Sequence, residues 1–164
     1  MIEIKPVKTH QIPEVKQLIW KVCQEIFQVT KEEVIQHYDD LADLDAIESN
    51  YFRNSGIFLV VCDRNKVIGS GGIKRFDRSI CELKRMWFLK EYRGRGYAEQ
   101  MSFLLFKFAR KANYKRVRLD VFSSDKQARA INFYQKLGFY NITRYFPRDG
   151  NGFIDSTVFM EKKL

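Results

Sequence analysis

Apolar and polar residues alternate through residues 2–7, a period that predicts a strand. Ile12, Val15, Leu18, Ile19, Val22 and Ile26 then recur at helical spacing, with Pro13 admissible only in the first turn. Thr30-Lys31-Glu32-Glu33 is a capping box and opens a second, shorter helix. The acidic stretch 38–45 reads as a loop or a frayed helix. Residues 57–63 and 67–75 are strands joined by a turn at Arg64-Asn65-Lys66, and 79–90 is a third strand-like run. Ala98, Met101, Leu104, Leu105, Phe108 and Ala112 mark a long amphipathic helix, after which 116–122 alternates again. Ser124-Asp125-Lys126-Gln127 is a second capping box, and its helix runs to Leu137 and stops at Gly138. Residues 139–146 and 153–161 flank Arg148-Asp149-Gly150-Asn151-Gly152, a turn that would close a hairpin.

The order is strand, two helices, three strands, helix, strand, helix, two strands. It predicts one α+β domain over residues 1–164, a mixed but mostly antiparallel twisted sheet of about six to seven strands with about four helices. The 164 residues suit one domain with its own core, and 45% hydrophobic against 30% charged is a globular balance. The start lacks an apolar h-region and no apolar run approaches a membrane span, so neither a secretory signal nor a membrane partner is expected. Cys23, Cys62 and Cys81 are odd in number and widely spaced. They predict reduced thiols in a cytoplasmic protein, with no disulfide framework and no metal site.

Charge changes the picture only when it is divided. Residues 1–63 carry 6 Lys/Arg and 11 Asp/Glu, whereas 64–164 carry 23 and 9. A basic half that meets an anion and an acidic half that meets a cation follow from that split, but charge alone does not choose between nucleic acid and a phosphorylated small molecule. The basic residues are interleaved with apolar ones and form no single run, so nucleic acid is not the expected partner.

The anion has a candidate seat. The segment from Leu83 to Ala98 feeds a strand into Arg93-Gly94-Arg95-Gly96 and then into a helix. The first turn of a helix presents unpaired N–H groups and the positive end of its dipole, and glycines let a diphosphate approach them. Arg93 and Arg95 add two cations. No Gly-Lys-Ser/Thr follows, the third glycine of a dinucleotide fingerprint is missing, and Arg95 stands where an RNA-binding consensus needs an aromatic residue.

Arg93-x-x-Gly96-x-Ala98 resembles the Gln/Arg-x-x-Gly-x-Gly/Ala motif of the GNAT superfamily of N-acetyltransferases. Ala130-Ile131-Asn132-Phe133-Tyr134-Gln135-Lys136-Leu137-Gly138-Phe139 is similar to its tyrosine-bearing helix ending in Leu-Gly-Phe. The two motifs cover residues 82–139, and the order of elements agrees over nearly the whole chain.

The resemblance implies acetyl-CoA as co-substrate and direct acetyl transfer to a small-molecule or peptide amine. No metal, nucleic acid or membrane is implied, and a homodimer is left open. It implies a fourth strand splayed from the fifth, with the backbone of Met86, Trp87 and Phe88 pairing with the pantetheine arm and polarising the thioester carbonyl. Arg93, Gly94, Arg95, Gly96, Tyr97, Ala98 and Glu99 would hold the pyrophosphate, and Tyr134 would protonate the departing thiolate. Gln127 stands where many members have a cofactor-binding asparagine, and it fits equally as half of the Ser124 capping box. Glu82 is the candidate general base by position, and a solvated strand charge is the other reading. His10 and His37 receive no role. Asp39, Asp40, Asp43 and Asp45 suggest a cationic acceptor, or a solvated acidic loop. A basic nucleic-acid-binding module and a non-catalytic CoA-binding relative remain the alternatives.

Overall fold

The computed structural model describes residues 1–122, 125–143 and 157–164. Seven strands form one sheet in the order β1-β2-β3-β4-β5-β7-β6: β1 Ile2–Pro6, β2 Ile57–Asp63, β3 Lys66–Arg75, β4 Ile80–Phe88, β5 Arg116–Val121, β6 Tyr140–Ile142 and β7 Val158–Lys163. Every neighbouring pair is antiparallel except β4 with β5. The α+β class and the strand count agree with the sequence reading.

The helices are α1 Ile12–Phe27, α2 Lys31–Glu33, α3 Ala42–Asp45, α4 Tyr97–Lys111 and α5 Ala128–Lys136. Pro13 falls in the first turn of α1, and the helix ends where Gln28 turns left-handed at φ 55°. The first capping box forms as expected. Thr30 Oγ1 accepts from the Glu33 N–H at 3.2 Å, and the Glu33 carboxylate accepts from the Thr30 N–H at 2.7 Å.

Four details depart from the sequence reading. The acidic stretch 38–45 follows a wide π-helical turn, Val34–Tyr38, and its second half forms α3. A second π-helical turn, Glu48–Phe52, precedes β2. Helix α5 starts at Ala128 and not directly after Ser124, and the Gln127 side chain donates to the Phe122 carbonyl. Ser124 itself and the 148–152 turn lie outside the described residues. The last strand continues to Lys163, past the expected end at 161, and it lies between β5 and β6.

Helix α1 packs on β3 and β4, and α4 packs on β2, β3 and β4. Consecutive glycines of β3 face opposite sides of the sheet, and Gly71 faces α4. A Cβ on Gly71 would run into the sulfurs of Met86 and Met101, the latter on α4. A Cβ on Gly72 would meet Phe58 and Tyr51 instead, at 2.8 and 2.9 Å. The core between these layers includes Val15, Ile19, Phe58, Ile73, Met101 and Leu105, each almost fully buried.

Candidate active site

Strands β4 and β5 pair only from Ile80 opposite Arg116 to Glu82 opposite Arg118. Beyond that point β4 runs on to Phe88 and β5 to Val121 with no register between them, so their facing edges diverge. A cavity of about 150 Å³ occupies this opening. Its walls are Leu83 to Trp87 of β4, Leu119 to Val121 of β5 with Phe122, Gln127 and Tyr134 from the α5 side, and Ile19, Cys23, Phe27, Val34, His37, Asp39 and Leu41 from the α1 side.

Strand β4 is bulged at the cavity. Ser70 lies opposite Trp87 and Gly72 opposite Lys84, so Gly71 alone faces both Arg85 and Met86. Arg85 takes up the extra length at φ 60°, a left-handed conformation that costs a residue with a Cβ about 1 kcal/mol or more. Two sets of contacts hold it. The Ser70 hydroxyl donates to the Arg85 carbonyl at 2.8 Å, and the Arg85 guanidinium donates to both carboxylate oxygens of Asp39 and of Asp43. The Tyr51 hydroxyl donates to Asp43 from behind at 2.7 Å. Burial alone would raise the Asp43 carboxyl, but the Arg85 charge and these hydrogen bonds outweigh it and hold the group below the usual carboxylate range.

The acidic stretch therefore does not present four solvated carboxylates. Asp39 and Asp43 are committed to Arg85, Asp40 accepts from the Ala42 N–H at 3.0 Å, and Asp45 pairs with Lys16 at 2.6 Å. Of the four, Asp40 and Asp45 stay exposed, while the charges of Asp39 and Asp43 are already matched by Arg85.

At the other end of β4 the chain passes through Arg93-Gly94-Arg95-Gly96 into α4. Gly94 and Gly96 have φ of 72° and 81°, and Gly96 is the N-cap with no side-chain hydrogen bond. A Cβ on Gly94 would meet nothing within 4 Å, and one on Gly96 would meet only Gln100 and Glu99 side-chain atoms at 4.0 Å. The glycines thus serve backbone direction and not close packing. They leave open space at an uncapped helix start, where unpaired N–H groups can meet an anion. Tyr97 and Ala98 are half-buried against the core, while Arg95 and Glu99 are exposed. Arg95 lies over the Tyr92 ring, 5.7 Å from its centre. Arg93 is turned away from open solvent. Its Nη atoms hold Glu25 of α1 at 2.9 Å each, and its Nε donates to the Phe88 carbonyl at 2.8 Å.

Tyr134 lines the cavity beside Asp120, with its ring edge-on to Phe133 and Phe139 at 5.4 and 5.6 Å. Burial, with the Asp120 charge second, pushes its hydroxyl well above the ordinary phenol range, so it stays protonated at neutral pH. Glu82 is buried, stands in register with Lys74 on one side and Arg118 on the other, and is not among the residues lining the cavity. The solvated-charge reading of Glu82 fails on its burial. Arg85 and Asp120 line the cavity without having been singled out, and so do His37, which was given no role, and Cys23, which was read only as a reduced thiol. For Asp120 the one signal was its polar position in an alternating strand. Burial, with the Asp39 charge second, raises the Cys23 thiol to about 12.

A strand pair splayed around a cavity, a glycine-built helix start following the same strand and a tyrosine on the cavity wall are the arrangement that the sequence resemblance implies. Residues 14–139 match the acetyltransferase (GNAT) family, and the chain belongs to that family. Membership makes it an acyltransferase with acetyl-CoA as co-substrate. It is 32% identical over 125 residues to the uncharacterized N-acetyltransferase YjgM of Escherichia coli (strain K12), covering 74% of this chain and 72% of that one. An acetyltransferase from Streptococcus agalactiae 2603 superposes with a TM-score of 0.80 at 26% identity, over 99% of this chain and 98% of that one. The PaiA N-acetyltransferase of Thermoplasma acidophilum, solved in complex with coenzyme A, shares the fold at a TM-score of 0.76 and 20% identity, over 100% and 99% of the two chains. No helix among the described residues is long and apolar enough to cross a membrane, and no group of metal-ligating residues occurs among them.

Proposed function

We propose that the protein transfers the acetyl group of acetyl-CoA directly to a primary amine, with Tyr134 as the general acid. The observation that carries this reading is Tyr134 in the cavity where β4 and β5 part. The diverging strand edges offer backbone groups that no neighbouring strand uses, and a pantetheine arm has the peptide-like amides to pair with them. The diphosphate then lies toward the turn at Gly94 and Gly96, where the first N–H groups of α4 and the exposed Arg95 meet its charge.

At the thioester, an N–H of the Met86–Phe88 segment would donate to the carbonyl oxygen and stabilise negative charge there as the amine adds. Tyr134 gives its proton to the sulfur as the carbon–sulfur bond breaks. A phenol raised above pKa ~10 is a weak donor to a thiolate of pKa ~8.5, so proximity supplies much of the effect. The amine must lose a proton before attack. Asp120 and His37 border the cavity and support this step better than Glu82 does. Gln127 steadies the α5 side through Phe122 and does so whether or not it touches the donor.

The test is a screen of amines, from phenylethylamine and amino acids to spermidine, aminoglycosides and peptides, for release of free CoA from acetyl-CoA. Acetyl-CoA binding seen by calorimetry, with at least one amine turned over, supports the reading. Acetyl-CoA binding without turnover of any amine would favour a non-catalytic CoA-binding role.

A further inference from the structure

Arg85 sits at the point where two features of the cavity meet. Its backbone is the left-handed residue of the β4 bulge, and its carbonyl is held by Ser70. Its side chain crosses to the opposite wall and grips Asp39, which follows the Val34–Tyr38 turn, and Asp43 in α3. Val34, His37 and Leu41 of that wall border the cavity. Leu41 is itself left-handed at φ 58°, and its N–H is held by Asp39 Oδ1 at 2.9 Å. Two strained residues on facing walls are thus joined through one guanidinium. The planar fork matters here, since it engages two carboxylates at once where an ammonium would act as a single point charge.

The alternative, that the ion pairs merely add stability, is weak on physical grounds. A buried pair recovers in Coulomb attraction little more than its desolvation costs, and an apolar trio would hold these elements together as well. An apolar trio would not fix the φ of one residue or the direction of its neighbour's N–H. We infer that Arg85 is a positioning residue for acetyl transfer: anchored by Asp39 and Asp43, it locks the β4 bulge so that the backbone at Met86 and Trp87 aims at the thioester carbonyl. This rests on the acetyl-transfer reading above.

The readout follows the carbonyl and not turnover alone. Acetyl-CoA labelled with carbon-13 at the carbonyl is bound to the wild type, to Arg85→Met, to Arg85→Lys and to Asp43→Asn. Asp43 lies outside the cavity, and its amide keeps the size and the Tyr51 contact, so this variant tests the anchor should Arg85→Met fail to fold. In the wild type the bound carbonyl resonance moves downfield from that of free acetyl-CoA. In the variants it returns toward the free value, with Arg85→Lys no better than Asp43→Asn. Affinity for acetyl-CoA relative to CoA falls by roughly three- to tenfold, the size of one hydrogen bond, while affinity for CoA itself stays within about twofold. A wild type that fails to bind acetyl-CoA would sink the acetyl-transfer reading. A wild type with a shifted carbonyl and folded variants with the same shift would overturn only the role of Arg85. An unshifted carbonyl in bound wild type would overturn it too, since the backbone would then have nothing to aim at.

Discussion

Arg93 is the residue on which the sequence motif and the geometry part company, and Glu25 is the perturbation that separates them. The motif suggests a cation for the diphosphate, yet the guanidinium ties the start of the glycine loop to α1 and to the end of β4. The pair is bidentate at 2.9 Å, with side-chain exposures of 27% and 35%. Such a half-buried fork is worth about 1 kcal/mol. Glu25→Ala should therefore lower the melting temperature by about 2–4 °C in a chain of this size. If the tether orients the loop, CoA affinity falls up to about fivefold in both Glu25→Ala and Arg93→Ala. The double variant is then little worse than either single one, because all three lose the same interaction. If instead Arg93 reaches the diphosphate, Arg93→Ala alone loses a charge-assisted hydrogen bond, more than about tenfold in affinity. Glu25→Ala would in that case free the cation and tighten binding. Calorimetry with CoA and scanning calorimetry on the four proteins measure both quantities. Tighter CoA binding by Glu25→Ala would refute the tether.

Tyr134→Phe keeps the ring packed against Phe133 and Phe139 and removes only the proton donor, so turnover should fall by about 100-fold or more while acetyl-CoA affinity changes little. Full activity under conditions where chemistry limits the rate would remove this residue from the mechanism. Burial raises both the Cys23 and Cys81 thiols to about 12, which leaves about 1 in 10,000 as thiolate at pH 8 against about a quarter for an ordinary thiol of pKa ~8.5. Iodoacetamide should thus label the folded protein at these two sites roughly 2,000-fold more slowly than the urea-unfolded chain, read by mass spectrometry, and equal rates would contradict the described burial.

Local signals were legible and distant pairings were not. The Thr30 box, Pro13 in the first turn of α1 and the glycines before α4 each act within a few residues, so spacing alone reveals them. The cavity tyrosine was found through a motif that is also local. Arg85 gave no such sign. Its partners Asp39 and Asp43 lie 46 and 42 positions away, and in sequence they read as one more acidic stretch. The same holds for Glu25, 68 positions from Arg93. The insertion of β7 between β5 and β6 is likewise decided by which strand edges are left to pair, not by the alternation of any one strand. Gln127 shows the local limit: a cofactor contact and a place in the Ser124 box were both open to it, and its amide reaches the Phe122 carbonyl, a partner that neither reading named.

Position 71 separates what this protein could change from what it could not. A single methyl there would strike Met86 beside the cavity and Met101 on α4 together. The smallest step in side-chain size there would have to be absorbed by two methionines at once, one on the strand that lines the cavity and one on the helix behind it. The facing wall carries its own restriction at Asp39 and Asp43, which hold Arg85, and is freer elsewhere. It is made of short turns around Val34–Tyr38 and Ala42–Asp45, where an altered side chain displaces a few residues and no sheet. A lineage built on this plan could vary that wall by small, separate substitutions while the strand and the helix behind it stayed matched.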